Sequence, residues 1–167
     1  MRNTKTFKLF FSRFFLMHNA LAKLAKSLEG EDFVHIIAHH DADGLSSAAI
    51  ITKVLLRLNK RFTLSAISHL TKEKLAELCA DKQGCYVFVD IGASMMHELN
   101  QLDRRMYVLD HHISSAQAKE HILLVNPWEH GIDGSREISA AGLAYLLAKE
   151  CRKSSKKRTS LQNSLRI

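Results

Sequence analysis

Phe33-Val34-His35-Ile36-Ile37-Ala38-His39-His40-Asp41-Ala42-Asp43-Gly44 decides how this chain is to be read. Its first half is a short apolar, β-branched run; its second half is an abrupt cluster of imidazoles and carboxylates closed by a glycine. The same order returns twice, with Asp90 after Tyr86-Val87-Phe88-Val89 and Asp110-His111-His112 after Met106-Tyr107-Val108-Leu109. A carboxylate that ends a buried strand projects into the crevice at the strand's carboxyl edge, where open α/β sheets bind their ligands. Three in succession imply one acidic pocket. Converging carboxylates and imidazoles repel, or stay partly protonated, unless cations compensate them. Divalent-metal ligation is therefore the economical reading, and a metallohydrolase is the class it points to.

Outward from this stretch, the chain alternates strand and helix. Strands are expected at 33–38, 62–67, 85–90, 106–110 and 122–126, where β-branched and aromatic residues are bounded by polar or turn residues. Helices are expected at 17–29, 45–59, 71–80, 93–103 and 139–151, from apolar residues at helical spacing such as Ile50, Val54 and Leu58. Such alternation implies an α/β fold, Rossmann-like, with a mostly parallel five-stranded sheet and helices on both faces. No internal repeat is visible. The 167 residues suit one domain with a real core. The expected division is an N-terminal basic and aromatic extension at 1–16, the folded domain at 17–151, and a basic, disordered tail at 152–167.

Cys79, Cys85 and Cys151 form no C-x-x-C pair, which argues against a disulfide framework and a zinc knuckle and makes a reducing, cytoplasmic location the default. The apolar stretch Phe7–Leu16 is interrupted by Arg13 and too short to span a bilayer, so neither a signal peptide nor a membrane span is expected; it reads as a helix packed on the domain or a non-native extension upstream of Met17, with a surface-bound amphipathic helix as the alternative. The net charge of +7 is terminal: residues 1–26 and 149–167 each carry +6, leaving −5 in the middle, around the proposed pocket. Basic ends either add salt-sensitive affinity for phosphate backbones or are simply solvated tails.

Each motif has a plainer alternative. Asp41 and Asp43, two apart on an extended turn, can point the same way while Gly44 turns the backbone into a helix, yet either aspartate can merely cap that helix. Asp90, before Ile91-Gly92, is open to the same reading. In Asp110-His111-His112 an imidazole can ligate a metal while Asp110 or a carbonyl orients its other nitrogen. The placement of all three after successive strands lifts them above chance.

These motifs, with Asn126-Pro127 and the segment Gly131-Ile132-Asp133-Gly134-Ser135-Arg136-Glu137-Ile138-Ser139, closely resemble the DHH phosphoesterase family, and within it the archaeal RecJ-like, single-strand-specific exonucleases. The resemblance runs from about Leu21 to Lys149. It implies a domain that uses two Mn²⁺ or Mg²⁺ ions to hydrolyse phosphodiesters through a water activated between them. Carried over, Asp41 is a ligand of the first metal and Asp43 of the second, Asp90 bridges them, and His111 completes part of the second site. His112 contacts the substrate phosphate, and Gly134, Ser135, Arg136 and Ser139 help hold the nucleic-acid backbone.

Three departures stand out. Where many members place a histidine ligand four residues before the first motif aspartate this chain has Ile37, leaving His39 as the substitute metal ligand. The usual glycine after Ser139 is Ala140. Before Ile167 there is neither the family's further acidic ligand segment nor its second, substrate-binding DHHA1 domain. Weak or no processive nuclease activity is expected of the isolated chain, as a frame-disrupted copy or as one whose site a partner completes. The expected substrate is single-stranded DNA or short oligonucleotides. The alternatives are an inactive RecJ-related scaffold binding replication-helicase components such as GINS, and a small-substrate relative acting on cyclic dinucleotides or pyrophosphate.

Overall fold

The computed structural model describes residues 4–81 and 83–164, with side chains at 12–81 and 83–153. All five expected strands form: β1 (Phe33–His39), β2 (Arg61–Ile67), β3 (Cys85–Val89), β4 (Met106–Leu109) and β5 (Ile122–Val125). They make one sheet in the order β2-β1-β3-β4-β5, and every pairing is parallel, so the sheet is wholly rather than mostly parallel. Strands β3 and β4 are buried along their whole length, as continuous apolar runs must be when helices cover both faces.

Alternation along the strands builds two cores. Val34, Ile36, Val87, Val89 and Leu109 face three helices: α1 (Thr4–Glu29), α2 (Ala42–Arg57) and α5 (Ala140–Ser164). Ile37, Tyr86, Phe88 and Val108 face the other way, toward α3 (Lys72–Leu78) and α4 (Met96–Leu99). The helix expected over 93–103 is shorter than its apolar spacing implies: a 3-10 turn at Ala93–Met95 runs into the four-residue α4. Asn100 ends it by donating to the Gln117 carbonyl and accepting from the Lys119 N–H, tying that end to the following loop.

The terminal helices are longer than expected. Helix α1 starts at Thr4 rather than near Met17, and α5 runs through Ser164, across the stretch expected as a disordered tail. Neither stretch contains glycine or proline; the first carries the apolar run Phe7–Leu16, and in the second lysine and arginine, good helix formers, continue the helical backbone where the apolar pattern stops. Arg13 lies over Gly131, and Phe14 packs on the core. No helix among the described residues is long and apolar enough to cross a membrane.

From β1 the chain goes first to one side, into β2, and then to the other, into β3, so the sheet switches direction between β1 and β3. That is where an open α/β sheet leaves a crevice at its carboxyl edge. His39 ends β1 and Asp90 follows β3 there, side by side.

Candidate metal centre

Asp90 is the centre of the site. Its backbone takes the left-handed conformation, φ 59°, which aspartate tolerates better than most residues and which sits at functional sites more often than elsewhere. Its side chain lies between two histidines, with Oδ1 3.2 Å from His111 Nε2 and Oδ2 3.8 Å from His39 Nδ1. Oδ1 is buried without a hydrogen-bond partner. Burial, then the nearby carboxylates of Asp43, Asp41 and Asp110, push the Asp90 carboxyl up to about 7.

The backbone decides what the two histidines present to it. His111 Nδ1 lies 2.7 Å from the Gly134 carbonyl oxygen. A carbonyl only accepts, so Nδ1 carries a proton, and Nε2 is the nitrogen turned toward Asp90 and, 3.7 Å away, Asp43. His39 repeats the arrangement from the other side. Its Nε2 donates to the Ser68 carbonyl at 3.2 Å, leaving Nδ1 facing Asp41 at 3.1 Å and Asp90. A ring nitrogen and a carboxylate this close share either a proton or a cation, and the geometry suits both. Two groups, His39-Asp41-Asp90 and Asp90-His111-His112, have donor atoms within 4.8 Å of one another. Imidazole with carboxylate suits a first-row divalent ion.

His112 plays a different part. Its Nδ1 donates to Asp110 Oδ1 at 2.8 Å, and that hydrogen bond raises its pKa, favouring imidazolium. Its side chain is 56% exposed, so the charge faces the cleft. Asp110 is buried and also accepts from the Ala93 N–H, which makes it a positioning residue for His112.

The two motif aspartates differ. Asp41 caps α2, its Oδ1 accepting from the Gly44 N–H at 2.9 Å, and that bond holds its carboxyl below the usual range. Capping leaves its other oxygen, Oδ2, facing His39. Asp43 accepts from the N–H groups of Ala140 and Ala141, both at 2.9 Å, and so pins the start of α5 beside the cluster. Close packing supports both segments: a Cβ on Gly44 would lie 2.2 Å from the His39 carbonyl oxygen, and one on Gly134 2.2 Å from that of His111.

The loop expected to hold a nucleic-acid backbone is largely bonded to itself. Gly134 orients His111 through its carbonyl, Ser135 donates to Asp133 from both its amide and its hydroxyl, and the Ser139 hydroxyl accepts from the Gly142 N–H. Arg136 is exposed. Sequence reasoning gave no role to Ser68, whose carbonyl orients His39, or to His69, which lines the cleft beside Asp90. Both follow β2, so the rule that singled out the other strand ends covers them too. Asn126 and Trp128 hold the carbonyls of His112 and His111, each at 2.8 Å; that contact spans the tertiary fold.

The sequence profile described as the DHH family, N-terminal domain, matches residues 33–165. An uncharacterized protein of Methanocaldococcus jannaschii is 38% identical over 131 residues, which are 75% of this chain and 30% of that protein. The chain thus spans about a third of the length of this curated relative. RecJ from Thermus thermophilus, solved with Mn²⁺, superposes with a TM-score of 0.63 at 23% identity, covering 84% of this chain and 21% of RecJ. Cdc45 from Entamoeba histolytica superposes at 0.62 with 14% identity, covering 81% of this chain and 30% of Cdc45. At these identities the two structures testify to the fold. With more than three quarters of its length matched, this chain belongs to the DHH family and carries that family's N-terminal domain.

Proposed function

We propose that the domain is a two-cation phosphodiesterase acting on single-stranded DNA or short oligonucleotides, in the manner of the RecJ-like exonucleases, with Mn²⁺ or Mg²⁺ as cofactor. The observation that carries this reading is the buried, unpartnered Asp90 oxygen facing an imidazole whose far nitrogen is fixed on a backbone carbonyl. In this reading His39, Asp41 and Asp90 would hold one cation, and His111 and Asp43 would hold the other beside Asp90. Bound there, the cations supply Lewis-acid activation of water and neutralise developing charge. His112, kept protonated by Asp110, donates from its exposed Nε2 to a phosphoryl oxygen as negative charge builds on it. Asp43 ties this centre to the start of α5, so the helix and His111 keep a fixed spacing. Three buried free cysteines fit the reducing cytoplasm.

Titration calorimetry with Mn²⁺, together with cleavage of a short labelled oligonucleotide, tests the reading. Wild-type protein is expected to take up Mn²⁺ and cleave, and Asp90→Asn to do neither. Absence of Mn²⁺ uptake by the wild type overturns it, and binding of GINS-type components without uptake would move the chain to the scaffold reading.

A further inference from the structure

Outside the metal cluster, the most strongly charged feature with no account is a groove between α2 and α5. Lys53 and Arg57 line it from α2, one turn apart; Lys149, Arg152 and Lys153 line it from α5. All five are exposed. Only Lys153 has a carboxylate partner among the described residues, Glu150 at 2.7 Å. Like charges at this helical spacing repel, and no acid on the groove relieves them. The floor is apolar, formed by Ile50, Val54 and Ala148. Tyr145 stands at its side with 58% of its surface in solvent and the Lys149 ammonium 5.7 Å from its ring centre.

The direction of the groove matters as much as its charge. Asp43 bonds to Ala140 and Ala141, so α2 and α5 both begin at the metal cluster, and the groove runs away from it between them. From Asp43 to Arg57 is a path of about 21 Å at the α-helical rise. The groove is open to solvent and has a volume of about 640 Å³.

We propose that this groove is a second binding site, in which a single-stranded nucleic acid lays its phosphates along Lys53, Arg57, Lys149 and Arg152 and stacks a base on Tyr145. The choice of occupant rests on the phosphodiesterase reading of the cluster; the charge and the exposed ring do not. Cations along a path with an aromatic platform are the combination that grips single strands without regard to sequence. An acidic protein segment or an anionic membrane would use the charge but has no need of the tyrosine face or of a path along two helices that both begin at the cluster.

The test is fluorescence anisotropy of a labelled oligothymidylate on the full chain in EDTA, where no cleavage occurs, with hydrolysis of bis(p-nitrophenyl) phosphate in Mn²⁺ followed separately. Lys53→Glu with Arg57→Glu is expected to weaken oligonucleotide binding at least about tenfold and to flatten the salt dependence by about 1.4 in the log–log slope, two single-strand phosphate contacts. Tyr145→Ala is expected to weaken it by about tenfold, within the range for loss of one stacked base. Lys119→Glu, an exposed charge reversal away from the groove, is expected to change neither, and all variants are expected to keep hydrolysis of the small diester. Unchanged affinity in both groove variants overturns the proposal. So does equal weakening by Lys119→Glu, or binding to phosphatidylserine vesicles through these residues with no competition from oligonucleotide. Loss of small-diester hydrolysis in the wild type with groove binding intact would sink the phosphodiesterase reading and spare the groove.

Discussion

Two buried carboxylates sit at opposite ends of this sheet and have opposite surroundings. Glu31, just before β1, accepts from the Tyr107 hydroxyl at 2.6 Å and from Arg105 at 2.9 Å. Asp90, just after β3, has an oxygen with no hydrogen-bond partner and three further carboxylates among the groups that disfavour its charge. The first has both partners on its Oε1, and burial with the Glu31 bond pushes the Tyr107 phenol above its usual range, so the phenol keeps its proton. The second is left short of positive charge. Strain and unpaired charge at one end, satisfied bonds at the other, separate the part of the fold that binds something from the part that only holds.

Removing the charge at the unpaired end is expected to have the largest effect. Asp90→Asn should lower Mn²⁺-dependent oligonucleotide cleavage at least about a hundredfold, beyond the 10–100-fold typical of residues that only support a ligand. The metal-free variant should melt no lower than wild type, since asparagine accepts the left-handed backbone and relieves the repulsion. A large drop in its melting temperature would erase the contrast between the two ends.

Asp110→Asn is next. It leaves an acceptor for the Ala93 N–H but removes the carboxylate that holds the His112 proton. Cleavage is expected to fall about 10–100-fold, with the alkaline limb of its pH profile moving to lower pH. An unmoved limb would mean that Asp110 is purely structural.

At the satisfied end, Glu31→Ala strands the buried Tyr107 hydroxyl and should cost about 1–3 kcal/mol in denaturant unfolding, without touching Mn²⁺ affinity. Arg105, two-thirds exposed, adds little to that sum.

The smallest effect is on pH. The folded Asp90 carboxyl titrates at about 7, above its ordinary 3.8, so the folded state binds more protons between those values. Its stability contribution is complete below 3.8 and is lost as pH rises toward 7. His112, also raised, acts in the same direction above 6.5; His130, lowered by burial, opposes both below 6.5 with a smaller shift than that of Asp90, and the lowered Asp41 acts only below 3.8. The metal-free protein should therefore melt lower at pH 8 than at pH 5. Mn²⁺ should reverse the trend, and Asp90→Asn should flatten it.

The strands and their acidic ends were legible because both are local. Alternating or continuous apolar runs mark a strand over five or six residues, and the next residue must emerge at the sheet edge. So Asp41, Asp90 and His111 could be read as neighbours before any coordinate. Helix ends were less legible. The apolar pattern over 93–103 continues past Asn100, but the side chain of Asn100 stops the helix by reaching 17 and 19 residues ahead. Beyond Cys151, helical backbone persists with no apolar pattern to announce it, whereas before Met17 the apolar run Phe7–Leu16 is present and is helical.

The amino-acid sequence by itself determined an α/β sheet with carboxylates and imidazoles at its carboxyl edge, since side-chain period and residue type are properties of short segments. Only the tertiary structure decided which nitrogen of each histidine faces Asp90, because that depends on the carbonyls of Ser68 and Gly134, 29 and 23 residues distant. It alone bound Asp43 to the first turn of α5, 97 residues away, and so aligned the basic faces of two helices that begin at the cluster and run away from it. The physical reason is range: a hydrogen bond acts over about 3 Å in space and is indifferent to the length of chain between its ends.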